Sequence, residues 1–240
     1  MKCISELKNK YRGERCFILG NGPSLNKTDV LKLKNEYTFA VNSIFLMTET
    51  NGFRPSFYVV EDNLVFKENK DKIDDYEEVT KIMPKHYAEQ LSCKDECFVF
   101  DMDQDFYHKG KRNRFAIPYF NDNNTVTFFC GQSVTFINMQ LALYLGFDEV
   151  YLIGMDFSYS IPSGHKQEGN HIKSEADDAN HFHKDYFGKG KTWKDPRLGR
   201  VLRAYHMAKF AFDSTGKKIF NATPGGELEL FERVNFESLL

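Results

Sequence analysis

An α/β fold with a three-layer, mainly parallel sheet and a long lid-like loop segment is what this sequence predicts, and three observations predict it. Short apolar runs recur along the chain, each too short for a helix and each bounded by turn residues. Stretches with helical spacing of apolar residues lie between several of them. The runs also end, one after another, on small or polar side chains: Gly20-Asn21, Asn42-Ser43, Glu61-Asp62 and Gly154-Met155-Asp156. Strand and helix patterns in alternation imply parallel strands covered on both faces.

Residues 4–12 read as a short polar helix or arm. Cys16-Phe-Ile-Leu19 runs into Gly20 as a buried strand entering a turn would. Ser24 or Asn26 can cap a following helix over Asp29–Leu33. Thr38–Val41 and Ser56–Val60 are the next strands, and residues 64–95 are charged and helical around a strand at Lys81–Met83. Cys97–Phe100 is another strand, and 101–130 is irregular, aromatic and Asn-rich. Ser133–Leu145 is the clearest helix: Val134, Ile137, Leu141 and Leu145, with Phe136, Met139 and Ala142, give a broad apolar face that Gly146 terminates. Glu149–Ile153 is a strand, whereas 158–195 is polar, rich in His, Lys and Gly, and without periodicity. A loop of that length inside a domain marks a functional or mobile segment. A helix from about Pro196 to Thr215 and a strand at Lys218–Phe220 precede Asn221-Ala-Thr-Pro-Gly-Gly226. The expected organisation is a Rossmann-like nucleotide-binding domain, 1–157 with 196–240, and a lid or acceptor-side insertion, 158–195.

Composition bounds the function. With 23 Phe and 12 Tyr the chain of 240 residues can bury a substantial core although its apolar share is 41%. A net charge of -2 argues against a phosphate-coating protein, so no nucleic-acid partner is expected. The basic runs Lys109-Gly-Lys-Arg112 and Lys189-Gly-Lys191 are too short to change that. Five scattered cysteines, of which only Cys93 and Cys97 are close, read as reduced thiols. Met1–Arg15 lacks the apolar run of a signal peptide and no stretch reaches membrane-span length, so the expected location is cytoplasmic.

In parallel α/β sheets ligands sit outside the carboxyl ends of strands, which places Asn21, Asn42 and Asp62 on one crevice. In the first loop Gly20 and Gly22 would let backbone amides approach an anion, with Asn21 and Ser24 adding donors, and an ordinary strand-to-helix turn has the same appearance. The absence of G-x-G-x-x-G and of a P-loop lysine speaks against a dehydrogenase and a P-loop kinase. Gly131-Gln132-Ser133 opens the long helix, where Ser133 is either a cap or, with free amides, part of a phosphate or carboxylate site. The long loop holds His165, His171, His181 and His183, and histidine is the natural base for a sugar hydroxyl near neutral pH. His181 and His183 with Asp185 and Tyr186 also suit a metal cluster. Tyr159 and Tyr186 would donate hydrogen bonds to a leaving phosphate, or pack. Asp156 would bind a metal, a ribose or an ammonium, or cap the next turn.

Phe17-Ile-Leu-Gly-Asn-Gly-Pro-Ser-Leu25 with Val41-Asn42-Ser43 resembles the opening of bacterial lipooligosaccharide sialyltransferases, and Gly131-Gln-Ser133 leading to Ala142–Phe157 resembles a later stretch of them. The same segments, with Glu61-Asp62 and Asn221–Gly226, are similar to the MptE-like family, which includes 6-hydroxymethylpterin diphosphokinases and motility-associated flagellin glycosyltransferases that use CMP-nonulosonates. The resemblance implies that Asn21 and Ser24 hold donor phosphate, Asn42 the nucleotide, and Gln132 and Ser133 the donor sugar's carboxylate or phosphate. It also implies that a late-loop histidine, His181 or His183, is the base, that tyrosines assist the leaving phosphate, and that no metal cofactor is needed. The chain departs from the sialyltransferase pattern in carrying Glu61-Asp62 for an Asn, Gly-Gln-Ser for Thr-Ser-Gly, and Phe157-Ser158 where a Tyr follows Asp-Phe.

Three functions follow as expectations. The first is inverting transfer of a sialic-acid-like sugar from a CMP-sugar donor to a glycan or lipid-linked glycan acceptor, for lipopolysaccharide or capsule biosynthesis in a bacterial cell. The second is an ATP- and Mg²⁺-dependent pterin diphosphokinase with Asp62 and Asp156 as metal ligands. The third is a non-catalytic nucleotide- or glycan-binding subunit. Peripheral association with the inner membrane and a homo-oligomer stay open alongside them.

Overall fold

The computed structural model describes residues 1–110, 115–121, 123–161, 166–169 and 171–240, so that Lys111, Arg112 and His165 lie outside the described residues. In chain order the strands are β1 (Lys2–Cys3), β2 (Arg15–Leu19), β3 (Tyr37–Val41), β4 (Phe57–Val59), β5 (Thr80–Pro84), β6 (Phe98–Asp103) and β7 (Thr127–Phe129). They continue as β8 (Glu149–Ile153), β9 (Lys166–Glu168), β10 (His171–Lys173), β11 (Thr192–Lys194), β12 (Lys218–Asn221) and β13 (Glu232–Arg233). The helices are α1 (Phe45–Asn51), α2 (Asn63–Glu68), α3 (Lys70–Asp74), α4 (Lys85–Ala88), α5 (Val134–Leu145) and α6 (Leu198–Ser214).

The main sheet runs β1-β6-β5-β4-β3-β2-β8-β12-β13, with β7 beside β6. Each of its pairings is parallel. This is the α/β, Rossmann-like arrangement. Successive strand residues point to opposite faces, so Cys16 and Ile18 join α5 and α6 in one core, while Phe17 and Leu19 join residues of α1, α2 and α4 in the other. From β2 the order moves outward through β3, β4 and β5 on one side and through β8 and β12 on the other. The crevice of such a sheet opens at that reversal, above the ends of β2 and β8.

Helix α5 is buried on all sides, not along one face, because α6 and the segment leading to β7 cover what the sheet does not. Its Gln140 is satisfied by that segment: Oε1 accepts from the amides of Asn121 and Phe129, and Nε2 donates to the Phe129 carbonyl. Ser133 caps the helix, accepting from the Thr135 amide at 3.2 Å, and Gly146 ends it at φ 106°, where a side chain would be strained.

Two expectations are corrected. The helix expected over Asp29–Leu33 is a single 3-10 turn, Val30–Leu33, capped by Asp29, whose carboxylate accepts from the Leu31 amide. Ser24 and Asn26 are not its caps, since Ser24 bonds Asp156 and Asn26 donates to the Phe182 carbonyl. The polar segment 158–195 carries a sheet of its own, β11-β10-β9, antiparallel, with Ile172 and Trp193 buried beneath it. Among the described residues no helix is long and apolar enough to cross a membrane.

Candidate functional site

The loops after β2 and β8 are sewn together at the sheet's reversal point. The Gly20 amide donates to the Ile153 carbonyl at 2.7 Å and the Gly22 amide to the Gly154 carbonyl at 3.0 Å. Ser24 gives both its amide (3.2 Å) and its hydroxyl (2.7 Å) to the Asp156 carboxylate. The amides expected to cradle an anion are therefore already bonded within the protein. The glycines have a different reason: a Cβ on Gly20 would overlap the Gly154 carbonyl, and one on Gly22 would overlap the Asp156 carboxylate. Asn221–Gly226 braces the pair from the other side. Thr223 Oγ1 accepts from the Met155 amide at 3.1 Å, and the Asp156 carbonyl accepts from the Glu227 amide at 2.8 Å.

A cleft of about 720 Å³ opens above this seam. Gly20, Asn21, Gly22, Asn42, Asp62, Gln132, Ser133, Asp156, Tyr159, His181 and Tyr186 line it; Ser24, Gly131 and His183 do not. Ser24 is covered by Asp156. Gly131 serves packing, since a Cβ there would run into the Phe136 ring and towards Ala204 of α6. The His183 ring turns to its own turn and accepts from the Asp185 amide at 3.2 Å. Four non-glycine residues of the lining, Asn42, Gln132, Phe157 and Arg197, sit at positive φ between 49° and 70°. Backbone held in that region costs about 1–3 kcal/mol each and collects where a site over-determines its geometry.

Asn21 and Asn42 supply the floor. Asn21 Nδ2 donates to the Val41 carbonyl at 3.2 Å and to the Tyr186 hydroxyl at 2.7 Å, while its Oδ1 and that of Asn42 are buried acceptors without a partner among the described residues. A buried acceptor left unmade costs about 1–3 kcal/mol, so both oxygens favour a ligand that brings N–H or O–H groups. Tyr186 is fully packed; burial first, and then the neighbouring Tyr159, push its phenol up.

The segment after β8 is fixed to this floor. The Phe182 amide donates to the Asn21 carbonyl at 2.9 Å, and Asn26 holds the Phe182 carbonyl at 2.8 Å. Next to that anchored residue His181 lies flat on Tyr186, ring centres 4.1 Å apart, and its Nδ1 meets Asp178 Oδ2 at 2.7 Å. Asp178 also accepts from the amides of Asn180 and Phe187, at 2.7 and 2.8 Å. Burial alone would raise this carboxyl, but the His181 contact and the two amides outweigh it and hold Asp178 below the usual carboxylate range. An ionised Asp178 accepts only, so Nδ1 carries a proton, and Nε2 is the ring nitrogen left to the cleft. The Tyr159 hydroxyl is 3.4 Å from that nitrogen. Burial first, and then Asp178, raise the Tyr159 phenol, so it is a donor at neutral pH, although the residue as a whole is 41% exposed.

Opposite stand residues that the sequence reading misses: Lys194, Arg200 and Tyr205. Lys194 crosses from β11 to bond Asn63 Oδ1 at 2.6 Å, with Asp62 Oδ2 at 3.6 Å. Asp62 Oδ1 caps α2 through the amides of Leu64 and Val65. Beside it Glu61 is buried and accepts from the Tyr107 hydroxyl at 2.6 Å; burial and then Asp62 raise its carboxyl. Asp62 and Asp156 are thus both tied to protein donors, and among the described residues no three His, Cys, Asp or Glu side chains converge as metal ligands. That arrangement does not fit a metal cluster of His181, His183 and Asp185.

A family model described as 6-hydroxymethylpterin diphosphokinase MptE-like matches residues 2–162, more than half of the chain. Among solved structures the chain is similar to the MAf glycosyltransferase from Magnetospirillum magneticum AMB-1, with a TM-score of 0.55 and 16% identity. The match covers 99% of this chain and 38% of that one, so the chain spans well under half of that protein's length and the likeness speaks for the fold alone. No curated protein matches the chain.

Proposed function

The chain belongs to the MptE-like family, and from that premise we propose that the cleft is the active site of an inverting glycosyltransferase moving a sialic-acid-like (nonulosonate) sugar from a CMP-activated donor to a surface-glycan hydroxyl. The observation that carries the reading is the Asp178–His181 pair, aimed at the cleft where the strand order reverses. A neutral histidine with its second nitrogen held by a carboxylate is a general base with a fixed tautomer. His183, bonded to its own turn, lacks that setting.

In this reaction the acceptor hydroxyl sits against His181 Nε2 and loses its proton there as its oxygen bonds the anomeric carbon. The bond from that carbon to the phosphate oxygen breaks on the opposite face, and CMP departs with the electron pair. One displacement inverts the centre. Lys194, in the cleft wall, offsets the charge of the departing phosphate, while Tyr159, 3.4 Å from His181 Nε2, stands on the acceptor side with the base. The orphaned oxygens of Asn21 and Asn42 accept from the ribose hydroxyls or the base amine. The MAf glycosyltransferase is an instance of this fold in a glycosyltransferase.

Thermal unfolding in the presence of CMP, CDP, UDP, GDP or ATP, each with and without Mg²⁺, tests the donor. CMP at a hundredfold excess over its Kd stabilises by about 2.7 kcal/mol, which for a chain of this size raises Tm by about 5–10 °C, and Mg²⁺ makes no difference. A shift seen only with ATP and Mg²⁺ replaces this reading by the diphosphokinase.

A further inference from the structure

Arg200 is a cation of the cleft wall that the chemistry above leaves unused. Its guanidinium carbon lies 4.0 Å from the centre of the Phe106 ring and 4.2 Å from that of Phe115. Nε donates to Gln132 Oε1 at 3.2 Å, Nη1 to the Phe115 carbonyl at 2.8 Å, and Nη2 to the Phe106 carbonyl. Every one of these partners is neutral. Among the described residues no carboxylate stands within ion-pair distance of it, and its neighbours Arg197, just before α6, and Arg203, on α6, are cations too.

A half-buried charge is ordinarily matched by an opposite one, because removing it from water is costly unless it is paired. Here the pairing is missing among the described residues, which also leave two of the five guanidinium N–H groups over. Gln132, whose Oε1 faces Arg200, keeps its own amide donor for a second contact. A planar fork with a neighbouring amide matches a planar carboxylate held edge to edge. In a CMP-nonulosonate that group hangs from the carbon that is attacked.

Resting on the glycosyltransferase reading, we infer that Arg200, with Gln132, binds the carboxylate of the donor sugar and selects acidic 2-keto sugars over neutral ones. Phe106 and Phe115 keep water from the pair and hold the fork in one plane.

Isothermal titration with CMP, with a non-transferable 3-fluoro CMP-nonulosonate and with its C1 methyl ester tests the inference. For the wild-type chain the acid is expected to bind about 30-fold more tightly than the ester, and the ester about as tightly as CMP, since a desolvated charge pair carries that order of affinity. In Arg200→Met the acid is expected to fall to the level of the ester, with Arg200→Lys between. The wild-type comparison holds even if a variant folds poorly. Equal binding of acid and ester by the wild-type chain overturns the assignment. An Arg200→Met chain, folded by circular dichroism, that weakens CMP as much as the acid shows that the fork holds the phosphate instead. Failure of the wild-type chain to bind CMP overturns the glycosyltransferase reading itself, and the assignment with it.

Discussion

His181→Ala is expected to lower the rate of sugar transfer by about a thousandfold while CMP affinity stays within about twofold, because a positioned general base contributes about 10²–10⁴ and touches only the transition state. Asp178→Asn should approach the same loss by a different route. An Asn side chain can donate its amide to Nδ1, and the ring then carries its proton on Nε2, where a base needs a lone pair. The two substitutions together should cost little more than either alone, since they disable one device. Initial rates with a CMP-nonulosonate, beside the CMP thermal shift as a check on the donor site, separate the cases. Full activity in both single variants would remove His181 from the mechanism, and loss of CMP binding along with activity would recast the pair as scaffold.

Gly22→Ala is expected to destabilise the fold by more than about 3 kcal/mol and to abolish nucleotide binding with it. The added Cβ falls on the Asp156 carboxylate, and Asp156 has nowhere to go. Its side chain is held by Ser24, its carbonyl by the Glu227 amide, and a Cβ on Gly226 would already come within 2.8 Å of that carbonyl. Overpacking a closed site costs about 1–3 kcal/mol, and the loss of the Ser24 bonds to an ionised group adds to it. Gly199→Ala in the first turn of α6 is the matched control: open space surrounds it, and helix propensity favours alanine by about 0.5–1 kcal/mol. Urea unfolding of both variants gives the comparison; a cost below about 1 kcal/mol for Gly22→Ala would show that the seam yields.

The parallel sheet, α5 with its Ser133 and Gly146 ends, and the meeting of Asn21, Asn42 and Asp62 on one cleft are all legible in the sequence, because apolar runs of four or five residues ending on polar ones report buried parallel strands. The glycines of the first loop are legible as close approach but not as to what. A backbone that must admit a neighbouring loop and one that must admit a phosphate need the same residue. Strands β9, β10 and β11 escape detection because each has three residues, mostly charged or polar, around Ile172 and Trp193. Asp178 has a faint signal, a carboxylate three residues before a histidine. Arg200 has none, since its role depends on Phe106 and Phe115, far along the chain and brought together by the fold.

Asn21 and Tyr186 are 165 positions apart and joined by one hydrogen bond, and Tyr186 is joined to His181 by one stacked ring. In the network of contacts, the floor of the cleft and His181 are two steps from each other. For heredity this means epistasis: a change tolerated at position 21 in one background need not be tolerated after a change at 186, and their effects will not sum. Lineages drifting at one of these positions would be expected to drift at the others in step, so the three are best treated as a single inherited character.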